Sequence, residues 1–163
     1  MITDTLKVFA ASLAIFLSGY FTGTIFPKGV IYYTIGNPLL SQQKEVIEQL
    51  TDGAVVLINC KDFKRRYPKE YKKLWKILDN PVGIAYQPTL PENDVIAYAG
   101  LFGAQITVTP IFFALTPRQR VVTLGHELLH LAGLPDHKRK LDRTKDPIYQ
   151  QTVRCFPFDS VEF

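Results

Sequence analysis

The sequence predicts an α+β domain in which a mixed twisted sheet packs against one long apolar helix. Three observations carry that expectation. Short runs of β-branched and aromatic residues recur at strand length, at residues 30–35, 82–86, 95–99 and 105–109. Helical spacing of apolar residues interrupts them. The chain has 163 residues, 47% of them hydrophobic and 21% charged, which suits one folded unit with a conventional core and excludes a disordered chain.

The N-terminus differs in kind. Residues 8–26 contain no charged side chain and are bracketed by Lys7 and Lys28. Nineteen helical residues would extend about 28 Å, close to the hydrocarbon thickness of a bilayer. No A-x-A-like cleavage site follows Ser18, Gly19, Thr22 and Gly23, which favours an uncleaved anchor over a removed signal peptide. The chain therefore divides into residues 1–29, a membrane anchor or signal helix, and residues 30–163, the folded domain. The expected location is membrane-anchored with the domain extracytoplasmic, or secreted if the segment is cleaved. Cys60 and Cys155 lie in no metal-ligand spacing; in an exported domain they either form one disulfide or remain buried thiols.

Beyond residues 27–29 each element has its own signal. A strand at 30–35 precedes a helix capped by Ser41, with Val46, Ile47 and Leu50 apolar and Gly53 as its stop. The apolar run at 54–59 reads as a strand covered on both faces. From Pro68, the positions of Tyr71, Leu74, Trp75 and Leu78 predict an amphipathic helix with its lysines outside. Turn-forming residues at 87–93 separate two strands. Residues 105–109 alternate polar and apolar and stop at Pro110, which predicts an exposed edge strand along which an extended peptide would lie. Thr116 and Pro117 open a helix that runs to about Leu131, with Gly133 and Pro135 ending it.

That last helix carries His126-Glu127-Leu128-Leu129-His130. Histidines four apart project from one helical face and can converge on a single ion, the geometry of a zinc site, while the glutamate between them falls beside the metal as general base. Two of the chain's three histidines sit here, in an otherwise apolar helix where ionisable groups are costly without a partner. Between Arg120 and Asp136 the apolar stretch is too short for a membrane-spanning protease helix. The expected reaction is peptide-bond hydrolysis by a metal-activated water, with Zn²⁺ as cofactor and a peptide or protein as substrate. The alternatives are a zinc amidase acting on cell-wall peptide and a non-catalytic, membrane-anchored binding module.

Catalytic zinc takes three protein ligands. Asp136 completes His126-x-x-x-His130-x-x-Gly133-x-x-Asp136, which resembles metzincins of the snapalysin type, whose third ligand is aspartate; the methionine turn of that group has no counterpart, since the sole methionine is Met1. Asp146 lies in Thr144-Lys145-Asp146-Pro147-Ile148-Tyr149, which is similar to the T-x-D-x-x-Y element of aspzincins, the deuterolysin and lysine-specific metallo-endopeptidase group. The resemblance extends upstream through residues 106–115 and Thr123-Leu124, covering about residues 105–150. Thr109 stands where a cysteine is common and Gln150 where a glycine normally follows the tyrosine. The resemblance implies a zincin-like domain, with Asp146 as third ligand and Tyr149 stabilising the transition state. Asp146 is preferred and Asp136 is the alternative, with His137 and Asp142 behind them.

The net charge of +4 gathers in clusters at residues 61–76 and 138–145. These read first as solvated helix faces, and no nucleic-acid partner is expected.

Overall fold

The computed structural model describes residues 30–34, 40–88, 95–100, 104–134 and 146–156, with side chains of residues 30–34, 40 and 41 left aside. The expected anchor and the candidates Asp136, His137 and Asp142 lie outside these residues. Among the described residues no helix is long and apolar enough to cross a membrane.

The order of elements is β1 (Val30–Thr34), α1 (Leu40–Asn59), α2 (Lys61–Arg66), α3 (Pro68–Leu78), β2 (Val82–Tyr86), β3 (Ala97–Ala99), β4 (Gln105–Val108), α4 (Pro110–Ala114), α5 (Pro117–Ala132) and α6 (Pro147–Cys155). The fold is thus α+β, mostly helical, with a small mixed sheet in the order β1-β2-β4-β3. β1 runs parallel to β2 with Val30 opposite Val82, β2 runs parallel to β4, and β3 runs antiparallel to β4. Helix α5 lies at the centre and packs on α1, α3, α6 and the β3–β4 pair. Val46, Leu50, Leu74, Ile84, Ile106, Leu124 and Leu128 are all fully buried between these layers.

Two sequence expectations are corrected. Residues 54–59 are the last six residues of α1, not a strand. The buried side chains Val46, Leu50, Ala54 and Leu57 fall at helical spacing across Gly53, whereas Val55 is 41% exposed. A strand covered on both faces would bury every one of them. Gly53 does not stop the helix because its missing side chain serves the crossing with α5. A Cβ there would stand 3.1 Å from the Val121 carbonyl oxygen and 3.2 Å from the Gly125 nitrogen. The backbone approach offsets the roughly 1 kcal/mol that glycine costs a helix relative to alanine.

The second correction concerns β4. It is an interior strand, hydrogen-bonded to β2 on one side and to β3 on the other, so it offers no free edge. Its residues Ile106, Thr107 and Val108 are all buried, because the polar threonine is only 4% exposed. Alternation in the sequence was produced by a buried threonine rather than by a solvated face. The antiparallel edge strand is β3, shorter by two residues than the run that predicts it, and carrying the exposed Tyr98.

Cys60, at the junction of α1 and α2, is disulfide-bonded to Cys155 at the end of α6, with Cα atoms 5.5 Å apart across a sequence separation of 95. The bond ties the last described helix back to the first half of the domain.

Candidate metal centre

Helix α5 is fixed at both ends by its own sequence. Thr116 accepts from the Gln119 backbone amide at 3.3 Å while the Gln119 side chain accepts from the Thr116 amide at 3.0 Å, a complete capping box ahead of Pro117. At the other end Gly133 adopts φ 103°, the left-handed conformation that ends helices, as the sequence predicts. Arg120 secures the entry. Its guanidinium donates to the carbonyls of Phe113 at 2.8 Å and Leu115 at 3.0 Å, and pairs with Glu45 of α1 at 3.0 Å.

The middle of α5 is held at backbone level. Gly125, the residue before the first motif histidine, has Gly53 against one side, and Phe156 covers another. A Cβ on Gly125 would lie 2.8 Å from Cε2 of the Phe156 ring and closer still to its Cζ. A side chain at that position would have to displace the Phe156 ring, so α5 and the end of α6 meet closely here.

From this fixed helix His126 and Glu127 project into the interior, only 3% and 6% exposed, and His130 is half-buried. The two imidazoles are neighbours, their ring centroids 4.9 Å apart and their planes at 79°. Helix α6 supplies the next contact, with Nδ1 of His126 2.9 Å from the hydroxyl oxygen of Thr152. Thr152 also donates its hydroxyl proton to the carbonyl of Ile148 at 2.9 Å. A hydroxyl has one proton to give. With that proton given to Ile148, His126 donates from Nδ1–H, and in this tautomer Nε2 carries the lone pair.

Asp146 is buried, 6% exposed, at the N-cap of α6, where Oδ1 accepts from the Ile148 amide at 3.0 Å. Tyr149 is half-buried on the first turn of the same helix. The structure thus brings His126 and His130 side by side and joins α6 to them through Thr152. It does not assemble a three-ligand set: among the described residues no three His, Cys, Asp or Glu side chains meet in metal-holding geometry. Thr152 and Gly125 are the site residues that the motif reading overlooks. Asp146-Pro147 is an N-cap followed by a proline at the first helical position, and that signal predicts α6. With α6 drawn, Ile148, Gln151 and Thr152 fall on its buried side.

Comparison with protein-family models, with curated proteins and with solved structures finds no match. The functional reading therefore rests on the chain's own residues.

Residue chemistry fits a divalent transition metal at the histidine pair. Both are imidazole nitrogens on one helix, and His126 is in addition hydrogen-bonded through Nδ1, the way ligand histidines are usually held.

Proposed function

We propose that the domain is a zinc-dependent endopeptidase of the zincin kind, most like the aspzincin group, with His126 and His130 as metal ligands, Glu127 as general base and Asp146 as third ligand, Asp136 being the alternative. The single observation that supports this best is the Thr152–His126–His130 arrangement. A buried imidazole held through Nδ1 by a hydroxyl, beside a second imidazole with ring centroids 4.9 Å apart on the same helix face, is the way ligand histidines are usually held.

Zinc, when bound, polarises the scissile carbonyl and makes water acidic enough to be deprotonated near neutral pH. Glu127 takes a proton from the attacking water, whose oxygen forms the new bond to the carbonyl carbon. As the C–N bond breaks, the same carboxyl group returns that proton to the leaving amine. Tyr149 donates a hydrogen bond to the oxygen on which negative charge develops. The extended substrate pairs with β3, the edge strand among the described residues, which packs on α5, rather than with β4. The disulfide supports an extracytoplasmic location, where such bonds persist.

The test is a Glu127→Gln variant measured beside the wild type for zinc content and for hydrolysis of an unfolded protein such as casein. The variant should hold zinc at the wild-type level and lose hydrolysis by at least about a hundredfold. Undiminished hydrolysis in Glu127→Gln would reject the assignment. So would a wild-type protein that takes up no zinc.

A further inference from the structure

The basic residues are not spread over the molecule. Residues 61–79 hold eight lysines and arginines against three acids, an excess larger than the +4 of the whole chain, so the remainder is slightly acidic. Within this stretch Lys69, Lys72, Lys73 and Lys76 follow the i, i+3, i+4, i+7 spacing of one face of α3, and all four are exposed. The opposite face buries Leu74 and Leu78 in the core. Among the described residues none of the four lysines takes part in an ion pair. A stripe of like charge without interleaved acids is poor for helix stability, because neighbours one turn apart repel.

Topology places this stripe. Helix α3 ends at Leu78, four residues before Val82, and Val82 is paired with Val30, the first residue of β1. The C-terminal end of α3 and the start of β1 therefore share one end of the sheet. The uncharged stretch of residues 8–26 ends four peptide steps before Val30, at most about 14 Å of chain. Were residues 8–26 to enter a bilayer, so short a tether would bring that end of the sheet to headgroup level, since the headgroup layer alone is roughly 5–8 Å deep.

We propose that the lysine face of α3, centred on Lys72, Lys73 and Lys76, docks on the anionic headgroups of the bilayer that receives residues 8–26. The docking is independent of the peptidase reading and rests on the expected anchor. Anionic lipid neutralises the stripe, and the short linker keeps the two at high effective concentration. The Lys73 ammonium lies near Gly133 at the end of α5, where a Cβ would stand 3.3 Å from its Nζ.

The full chain is reconstituted into nanodiscs of phosphatidylcholine alone or of phosphatidylcholine with phosphatidylglycerol, and lysine acetylation rates are read residue by residue. Lys44, exposed near the start of α1 and outside the basic stretch, is the internal reference. Lys72, Lys73 and Lys76 should react at least about fivefold more slowly, relative to Lys44, in the anionic discs, with the difference abolished at high salt. In the triple variant Lys72→Glu, Lys73→Glu, Lys76→Glu, the protection of Lys69 should disappear. Equal rates in the two discs would overturn the proposal. It would also be overturned by a chain that does not enter nanodiscs, or by protection that appears only on adding a soluble polyanion.

Discussion

The hydroxyl of Thr152 lies 2.9 Å from Nδ1 of His126 and hands its own proton to the Ile148 carbonyl, so one threonine on α6 sets which nitrogen of the motif histidine faces away. Removing that hydroxyl should change metal binding more than folding. Thr152→Val keeps the shape of the side chain but leaves Nδ1 without its acceptor. Zinc affinity, read by competition with a chelator, should fall about 10- to 100-fold, the usual consequence of losing an outer-shell partner. Thr152→Ser should restore most of it. Identical affinities in all three proteins would show that Thr152 merely packs.

How much of this was legible in the sequence follows the range of each interaction. The motif helix was written locally, with Thr116 and Pro117 at its start, Gly133 at its end and apolar residues between, and it appears as α5 nearly residue for residue. Long-range contacts were not written that way. Gly53 has the composition of a helix stop, but its role is set by Gly125, which is distant in sequence and adjacent in space. Strand order is likewise invisible to alternation: Gln105–Val108 looks half-exposed until β3 and β2 are found on either side of it. Thr152 needed α6 to be recognised first, and only then the docking of α6 against His126.

Gly125 should tolerate no side chain. In Gly125→Ala the new methyl group meets the Phe156 ring, which must shift to admit it. Overpacking of this kind costs about 1–3 kcal/mol. Urea denaturation should register that loss, and trimming the obstacle in Gly125→Ala/Phe156→Leu should recover part of it. A variant as stable as wild type would mean that α5 and α6 are not held in register at this point.

The disulfide closes a long loop, and long loops gain most from closure. Converting Cys60 and Cys155 to serine should destabilise the domain by about 2–5 kcal/mol. Because Cys155 ends the helix that carries Thr152, zinc affinity should fall in the same variant even at temperatures where it remains folded. Loss of stability with unchanged affinity would separate α6 anchoring from the site.

Asp62 gives the domain an acid-sensitive joint. Its carboxylate accepts from Arg65 at 2.8 Å and Arg66 at 3.1 Å, and Arg154 of α6 stands 3.8 Å away. The Arg65 hydrogen bond, then that of Arg66 and the nearby positive charges, outweigh partial desolvation and hold the Asp62 pKa below its usual 3.8. A depressed carboxylate pKa contributes stability that is present above the unfolded value and is lost as pH falls through the folded one. Stability of the wild type should therefore decline below about pH 4 more steeply than that of Asp62→Asn, with the two curves converging in strong acid. Parallel curves would remove Asp62 from the account.

The third ligand can be separated from the helix cap by choosing the right substitution. Asp146 caps α6 through Oδ1, so Asp146→Ala removes a possible ligand and an N-cap together, and the cap alone is worth about 1 kcal/mol. Asparagine is as good a cap as aspartate but a far poorer ligand for zinc, because it lacks the negative charge. If Asp146 closes the coordination sphere, Asp146→Asn should keep the wild-type melting behaviour of the metal-free protein and purify without stoichiometric zinc, while Asp136→Ala keeps its zinc. The reverse pattern would move the ligand to Asp136. Retention of full zinc by both variants would exclude the two aspartates and direct the search to His137 and Asp142.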